Sequence, residues 1–312
     1  MSKANPSAFG TPLLIANPAA GNNGKSLLQR LVDALRGAGV DPDVLITSAS
    51  QNGRQLAREA ADAGRKLIVA VGGDGTVHEV VNGLIDGATG TVRGDDPVLA
   101  VVCTGSGSDL VRTFGLDRRP EILVDHLLTD DVIELDVGRA LVRDANGGDQ
   151  IHLFLNVAQA GLGAQVVSTA AHLPRRLGRG RYGAAIALEA PRFRRRPTRV
   201  RVDSGSRTDP ICNVVVANAQ FFGGGLHVAP RALPTDGKFN VQTWGGHPVD
   251  MLSARAQLRR GTHLARDDVR EWQSTKVTVT AARPLPVEAD GEMLGTTPAS
   301  FDVLERVLKF KL

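Results

Sequence analysis

The sequence predicts an α/β protein with two domains, a doubly wound parallel-sheet domain followed by a mostly antiparallel, β-sandwich-like domain. Two observations lead to this prediction. In about the first 130 residues, short apolar runs alternate with helical patterns, as in a parallel sheet covered by helices. Later segments alternate apolar and polar residues with a period of two, which indicates antiparallel strands. We place the domains at 1–134 and 135–312, and we expect residues 306–312 to return to the first.

The first domain is built from four strand–helix pairs. Each predicted strand is continuously apolar, which is typical of a strand buried on both faces. The predicted strands are 12–17, 43–47, 66–71 and 97–102, and the helices that follow them are 26–36, 53–63, 77–84 and a short one after Ser108. In such sheets ligands bind at the carboxyl ends of the strands, so the loops at those ends are the first place to look for a site.

The second domain is expected to contain seven short strands and two helices. A turn at 145–149 with the sequence ANGGD separates two strand-like runs and indicates a hairpin. The predicted strands are 132–137, 151–157, 198–203, 211–218, 238–244, 276–281 and 306–312, and the helices are 182–190 and 249–258.

Composition restricts the cellular setting. The first ten residues carry one lysine and no apolar core, so we expect no signal peptide. No apolar run approaches the ~18 residues of a spanning helix. Cys103 and Cys212 both lie in apolar runs and are expected to be buried, reduced thiols. We therefore expect a cytoplasmic protein whose contact with any membrane is limited to the membrane surface.

Arginines are concentrated between Arg175 and Arg201. Tyr182 and Phe193 are the only aromatic residues there, which argues against stacking on nucleic acid bases. The stretch is either a solvated basic face or a surface attracted to anionic lipid headgroups at the inner membrane, worth up to ~1 kcal/mol per basic residue. No nucleic acid partner is expected, and the oligomeric state cannot be read from the sequence.

The strongest motif is a glycine-rich turn between a strand and a helix, Gly72-Gly73-Asp74-Gly75-Thr76. Glycines let the backbone approach a phosphate closely, and a helix N-terminus offers free N–H groups to an anion. Asp74 would repel a bare phosphate, so its presence favours Mg²⁺ between the two. The alternative is a tight turn in which Asp74 caps the helix.

Two further turns follow the same strand–turn–helix order. Residues Ala19 to Ser26 nearly fit a phosphate-binding P-loop, but Ala19 stands where the pattern requires glycine, and the alternative is a polar turn with a solvated Lys25. The turn after the fourth strand, with Thr104, Ser106 and Asp109, offers hydroxyl groups to a nucleotide. Asp109 itself is expected to be a capping residue.

These three turns, in this order and spacing, resemble the diacylglycerol kinase catalytic family, which includes bacterial lipid kinases and the sphingosine and ceramide kinases. The resemblance implies a first domain like those of NAD kinases and phosphofructokinases. Further matches are 154–167, 214–241 and the Asp-Gly-Glu of 287–293. At four positions this chain departs from the family pattern: Ser106 and Ser108 replace Thr and Asn, and Leu162 and Gly163 replace an aromatic residue and Asp.

The resemblance also implies the site residues. ATP would be bound in a cleft between the domains by Asn17, Thr47, Gly72, Gly73, Asp74, Gly75, Thr76 and Ser106. A structural Mg²⁺ would be held by Asp236 with the carbonyls of Leu233 and Lys238, although an Asx-turn explains Asp236 equally well. Glu292 would take the proton of the lipid hydroxyl, with Asp290 close by, unless both acids are merely solvated turn residues.

The predicted activity is transfer of the γ-phosphate of ATP to a lipid hydroxyl at a membrane surface, with diacylglycerol or a related lipid as acceptor and Mg²⁺ as the metal. Phe221 and Phe222, beside three glycines, are expected to line a slot for acyl chains. Two alternatives remain open at this stage: an NAD kinase or other soluble-metabolite kinase, and a catalytically silent lipid-binding homologue. The identity of the acceptor cannot be read from the sequence.

Overall fold

The structure is a computed structural model that describes residues 7–19, 24–104, 109–116, 119–178 and 180–312. Its chain divides into two compact units. Unit 1 comprises residues up to Leu135 together with Arg306–Leu312, and unit 2 comprises Asp136–Glu305. The chain therefore passes from one unit to the other twice. The mixed α/β class, with a parallel sheet first and a mostly antiparallel sheet second, is confirmed.

Unit 1 alternates strands and helices as predicted. Its elements are β1 (Leu13–Ala16), α1 (Gly24–Gly37), β2 (Asp43–Ile46), α2 (Gly53–Asp62), β3 (Leu67–Gly72), α3 (Asp74–Leu84), β4 (Val98–Cys103), α4 (Asp109–Phe114) and α5 (Pro120–Leu128). The strands pair in parallel in the order β2-β1-β3-β4, and the C-terminal residues Lys309 and Phe310 add a further parallel partner beside β4. Helix α5 was not predicted.

The prediction that helices cover both faces of these strands holds for β1, β3 and β4, which are buried throughout. It is wrong for β2, in which all four residues are exposed. Among the described strands β2 pairs with β1 alone, so it is an edge strand, and Val44, Leu45 and Ile46 leave between 36% and 48% of their surface open. Apolar composition alone did not distinguish an edge strand from a central one.

Unit 2 is a mostly antiparallel sheet whose described part includes three α-helices. Its elements are β5 (Val132–Arg143), β6 (Asp149–Phe154), β7 (Val157–Gly161), α6 (Leu162–His172), α7 (Gly180–Glu189), β8 (Arg196–Val202), β9 (Gly205–Ile211), β10 (Asn213–Ala217), β11 (Phe221–Phe222), β12 (Leu226–His227), β13 (Phe239–Trp244), α8 (Asp250–Arg260), β14 (Val269–Ser274), β15 (Lys276–Ala281), β16 (Pro286–Ala289) and β17 (Glu292–Lys311). Strands β5 and β17 begin in one unit and end in the other.

One branch of this sheet carries the acidic and amide residues considered below. Its strands follow the order β14-β13-β10-β7-β16-β17, and every neighbouring pair is antiparallel. The predicted hairpin at 145–149 joins β5 to β6. Helix α6 was missed because its apolar residues look like a continuation of the preceding strand. Gly161, with a φ of 116°, makes the reversal between β7 and α6.

The cores of both units are aliphatic. Unit 1 packs leucines and valines of β1, β3 and β4 against α1 and α5, and unit 2 packs valines of its sheet around Phe154, Phe239 and Phe301. Both cysteines are buried and neither forms a disulfide, as expected. No helix among the described residues is both long and apolar enough to cross a bilayer.

Candidate functional site

The predicted nucleotide residues of unit 1 lie along the carboxyl edge of its parallel sheet. The backbone N–H of Asn17 donates to the carbonyl of Val71 over 2.9 Å, and the backbone N–H of Thr47 donates to that of Ala16 over 2.9 Å. The Thr104 amide bonds to the Gly72 carbonyl over 2.9 Å. These backbone hydrogen bonds align the carboxyl ends of β1, β2, β3 and β4. Ser106, Ser108 and residues 20–23 of the P-loop-like turn lie outside the described residues.

In the glycine turn between β3 and α3, Gly72 and Gly73 differ in the space available for a side chain. A Cβ on Gly72 would lie 2.2 Å from the hydroxyl oxygen of Thr76, so the first turn of α3 packs directly on this position. A Cβ on Gly73 would meet no atom of the described residues within 4 Å. Gly73 is the N-cap of α3, with φ −92° and ψ −175°, a conformation that any residue adopts. Its described neighbours therefore do not explain why it is a glycine.

Asp74 is the first residue of α3, and its carboxylate reaches the next strand–turn–helix unit. One of its oxygens accepts the backbone N–H of Asp109 over 3.1 Å. Asp109 begins α4, as predicted, and is 5% exposed. The carboxylate that receives the first amide of α4 thus belongs to Asp74. This bond joins the glycine turn at 72–76 to the turn that follows β4.

The acidic motif of unit 2 is a two-residue hairpin between β16 and β17. Ala289 pairs with Glu292, and the central residues Asp290 and Gly291 have φ values of 52° and 89°. Positive φ at both positions is the type I′ pattern that Asp-Gly adopts. Glu292 is exposed, and its role as a base stays a prediction.

Asp290 has a well-defined structural role. Its two carboxylate oxygens accept the backbone N–H groups of Leu155, Asn156 and Val157 over 2.8, 2.9 and 3.2 Å. Its own amide donates to the Val157 carbonyl over 3.1 Å. Asp290 is therefore not simply a solvated turn residue, because it ties the hairpin to the segment between β6 and β7. Its catalytic role stays a prediction.

A third acid of this hairpin was missed at the sequence level. Glu288 is completely buried, and burial raises its pKa to about 8, with Asp290 and Glu292 adding smaller repulsions. Its carboxyl group accepts the Gln159 side-chain amide over 2.7 Å and the Gly291 backbone N–H over 3.0 Å. The available signal was an acid between Val287 and Ala289 in an otherwise apolar strand.

The predicted metal loop also contains an acid that the sequence did not reveal. Asp236 accepts the Lys238 amide over 3.0 Å, and the Leu233 carbonyl accepts the Asp236 amide over 3.3 Å, so the loop is a compact turn. Asp136, fully buried at the start of unit 2, accepts the Gly237 amide over 2.7 Å. Burial, and in smaller part the nearby Asp136, raise the pKa of Asp236.

The loop offers oxygen atoms of the kind that a divalent cation prefers. Two carboxylates and a carbonyl are hard oxygen donors, and a cation would relieve the repulsion between the acids. Among the described residues, no group of three or more His, Cys, Asp or Glu side chains suits a metal. A cation here would thus depend on carbonyls and water as well as Asp236, as Mg²⁺ commonly does.

Unit 2 also contains an apolar pocket with a polar end. Its cavity volume is about 40 Å³, and the space beyond is open to solvent. Apolar walls come from α6, α7, α8 and the sheet, and Arg255 also lines the pocket. The apolar residues include Val166, Ile186, Val215, Phe222, Trp244 and Leu258, and the polar end is formed by Gln159, Gly163 and Asn213. Of the two predicted phenylalanines, Phe222 lines the pocket, whereas Phe221 stacks on His227 with ring centroids 4.5 Å apart.

Comparison with known proteins agrees with both units. Residues 11–140 match the model of the diacylglycerol kinase catalytic domain, and residues 156–311 match that of the YegS C-terminal NAD kinase beta sandwich-like domain. A solved structure described as a putative diacylglycerol kinase from Bacillus anthracis superposes with a TM-score of 0.76 over 98% of both chains, at 23% identity. That similarity concerns the fold.

Curated relatives carry the same family name. A probable lipid kinase YegS-like protein of Chromohalobacter salexigens is 35% identical over 220 residues, which are 69% of this chain and 67% of that one. The diacylglycerol kinase of Bacillus subtilis is 26% identical over 94% of this chain and 93% of its own. That of Mycobacterium tuberculosis is 25% identical over 96% and 94%. The chain therefore belongs to the family of lipid kinases defined by the diacylglycerol kinase catalytic domain and the YegS C-terminal domain.

Proposed function

We propose that the protein transfers the γ-phosphate of ATP to the hydroxyl of diacylglycerol or a related lipid at a membrane surface. The observation that carries the proposal is the open space that the described residues leave over Gly73 at the start of α3. A glycine that none of these atoms requires, placed at a helix N-terminus on the carboxyl edge of a parallel sheet, is expected where a phosphate group approaches the backbone.

On the nucleotide side, the N–H groups at the start of α3 would bind the phosphates, together with Thr76. Asn17 and Thr47, on the same sheet edge, would contact the rest of the nucleotide. Asp74, at the first position of the helix, would bind Mg²⁺. Magnesium at this position supplies charge neutralisation, and phosphoryl transfer depends mostly on such neutralisation and on positioning.

On the acceptor side, Glu292 would accept the hydroxyl proton as the lipid oxygen attacks the phosphorus. An alcohol is a poor nucleophile, and a positioned carboxylate typically contributes ~10²–10⁴-fold by taking its proton. Asp290 would hold the hairpin that carries Glu292, because its three backbone partners restrict movement of the turn. The loop of Asp236 and Asp136 would bind a second, structural Mg²⁺.

The lipid chain would enter the apolar pocket of unit 2, where Phe222 and Trp244 supply aromatic walls. The surface near the pocket helices suits an anionic membrane. Leu177 and Leu188 are exposed at 44% and 42%. Arginines on and around α7 make no ion pair with an acid in the described ranges (Arg176, Arg181, Arg192, Arg194 and Arg195). Exposed leucines among arginines of this kind are typical of interfacial contact.

The proposal is tested by transfer of radiolabelled γ-phosphate to a panel of lipids in vesicles with Mg²⁺. The panel includes diacylglycerol, a sphingoid base and phosphatidylglycerol, and each lipid is presented with and without anionic carrier lipid. We expect one lipid class to be labelled, faster on anionic vesicles. Labelling of a soluble acceptor such as NAD in the absence of any vesicle would reject a lipid acceptor. Equal rates on neutral and anionic vesicles would reject the attraction to anionic lipid.

Three variants separate the parts of the mechanism. Gly73→Ala should keep the melting temperature but weaken ATP binding at least ~10-fold, since its methyl group occupies the space assigned to a phosphate. Glu292→Gln should bind ATP normally and lose ~10²-fold or more in turnover. Phe222→Asp should impair lipid use and leave ATP affinity intact. Unchanged ATP affinity in Gly73→Ala would contradict the phosphate site, and unchanged turnover in Glu292→Gln would remove that residue from the mechanism.

A further inference from the structure

A chain of buried side-chain hydrogen bonds connects the polar end of the unit 2 pocket to the acidic hairpin. The Gly163 backbone N–H donates to the side-chain oxygen of Asn213 over 3.0 Å. The Asn213 amide nitrogen donates to the Gln159 oxygen over 2.8 Å, and the Gln159 nitrogen donates to Glu288 over 2.7 Å. Asn213, Gln159 and Glu288 are 1%, 3% and 0% exposed, so these hydrogen bonds lie in the interior of unit 2.

Backbone groups at both ends fix the donor-to-acceptor direction of these hydrogen bonds. Gly163 and Gly291 can only donate, since each contributes a peptide N–H. The oxygen of Asn213 must therefore face Gly163, which turns its nitrogen toward Gln159, and the same reasoning turns the Gln159 nitrogen toward Glu288. All donors point to the Glu288 carboxyl group, which accepts on both oxygens. The orientation of both amides follows from this network.

Gly163 is what allows Gln159 to take this position. A Cβ at residue 163 would lie 2.1 Å from the Gln159 side-chain oxygen and 3.1 Å from the Asn213 nitrogen. The family pattern has an aspartate at this point. In this chain the glycine replaces that acid, while Glu288 provides a carboxyl group on the neighbouring strand, opposite Gln159 in register.

The fixed orientation leaves two hydrogen-bond donors at the pocket. Each amide nitrogen carries two hydrogens, and one hydrogen of each is used within the chain. In the part of the protein that the structure describes, the Gln159 nitrogen donates to Glu288 and the Asn213 nitrogen donates to Gln159, so each amide keeps one hydrogen for a further acceptor. Both residues line a pocket whose other walls are mostly apolar. Each nitrogen already has one partner, and a ligand oxygen at the pocket would use the remaining hydrogen of each amide.

We propose that the side-chain amides of Gln159 and Asn213, aligned by Glu288, bind a carbonyl oxygen of the lipid acceptor and so select acyl lipids over alkyl lipids. This inference rests on the proposed lipid kinase function and names the acceptor class and its specificity-determining residues. Glu288 is a positioning residue, since it acts through Gln159. The apolar walls would accommodate the hydrocarbon that follows the carbonyl.

The first test uses the unaltered protein. Binding of 1,2-diacylglycerol and of the matched 1,2-dialkylglycerol, both in detergent micelles without nucleotide, is followed by tryptophan fluorescence. Of the two tryptophans, Trp244 and Trp272, Trp244 lines the pocket. The diacyl lipid should bind about fivefold or more tightly, as expected for one hydrogen bond to a buried donor. Equal affinities would overturn the inference. Because this assay needs no ATP, its result is independent of whether phosphate is transferred.

The second test moves the acid without removing a hydrogen bond. In the double variant Gln159→Glu with Glu288→Gln, the amide at position 288 accepts from Gly291 and donates to the carboxylate at position 159, which also accepts from Asn213. The fold should be retained, as judged by circular dichroism and melting temperature, but an acid now lies at the pocket end. Affinity for the diacyl lipid should fall ~10-fold or more and the acyl preference should vanish, with ATP affinity unchanged.

The single variant Glu288→Gln separates loss of alignment from the effect of an added charge. Its amide offers one acceptor oxygen where the wild type offers two, so the Gln159 nitrogen and the Gly291 N–H no longer both have a partner and the alignment is lost. It should therefore lose the acyl preference while the pocket stays uncharged. Wild-type preference in both variants would show that the chain is structural only and would overturn the proposal. Acyl-selective binding by a protein that labels no lipid would support the pocket assignment and reject the kinase function.

Discussion

Two Asp-Gly dipeptides occupy comparable strand ends in the two units, and the structure uses them in different ways. Asp74-Gly75 opens a helix, and the Asp74 carboxylate accepts the amide that begins the next helix, that of Asp109. Asp290-Gly291 closes a hairpin, and the Asp290 carboxylate accepts three consecutive backbone amides. The comparison shows that an acid in a glycine turn is informative only when its bonds are followed. Asp290 anchors a loop, whereas Asp74 joins two helix N-termini.

The largest expected difference is in the free energy of unfolding when the Asp290 or the Asp74 carboxylate is removed. Asp290→Ala leaves three backbone N–H groups without their acceptor and should lower the free energy of unfolding by about 3–5 kcal/mol. Asp74→Ala removes a cap-like bond and should cost about 1 kcal/mol, while abolishing most kinase activity. Urea denaturation and the γ-phosphate assay measure the two effects. Equal stability losses would break the contrast between the two turns.

An effect of comparable size is expected from pH, through the third acid of the hairpin. The pKa of Glu288 is about 8 in the folded protein, against an ordinary value of 4.5, because burial disfavours its charged form. Between these values the folded state holds a proton that the unfolded state has lost, so stability should decrease as pH rises from about 5 to 8. The limiting slope for one proton is about 1.4 kcal/mol per pH unit.

Glu288→Gln isolates this contribution, because all other titrating groups are shared with the wild type. Unfolding free energies of both proteins are measured by urea denaturation at pH values from about 5 to about 8.5. The wild type should lose stability over this range relative to the variant. Parallel curves would show that Glu288 is already ionised in the folded protein near neutral pH.

The smallest expected effect is a difference in stability between alanine variants at two glycines, which separates backbone strain from steric contact. A Cβ on Gly73 or on Gly291 meets no described atom within 4 Å, but Gly291 has φ 89° and Gly73 has φ −92°. Gly291→Ala should therefore cost about 1 kcal/mol of stability, and Gly73→Ala close to none. Thermal denaturation of the two variants gives the comparison. A destabilised Gly73→Ala protein would mean that the space beside that residue is needed for folding.

Much of the fold could be predicted from sequence because local patterns report local structure. The four parallel strands and the hairpin at 145–149 follow from apolar runs and turn residues. Strand β2 could not be recognised as an edge, since Val44–Ile46 are as apolar as the central strands. Helix α6 was hidden because the chain reverses at Gly161 without a polar break.

Candidate site residues could be named from the sequence only where a motif is continuous. The glycine turn and the Asp-Gly-Glu hairpin are such motifs. Glu288, Gln159 and Asn213 lie on three different strands and meet through sheet register. Asp136 likewise reaches the loop of Asp236 from a distant part of the chain. Contacts of this kind depend on strand order, which no single segment encodes.

The return of the chain to unit 1 after residue 305 has a consequence for biosynthesis. Phe310 is fully buried there, packs on Phe114 with ring centroids 5.2 Å apart, and pairs with Leu99 of β4. The sheet that carries the glycine turn therefore lacks a strand until these residues leave the ribosome. Although its other strands are translated first, unit 1 becomes complete only after all of unit 2 has been made.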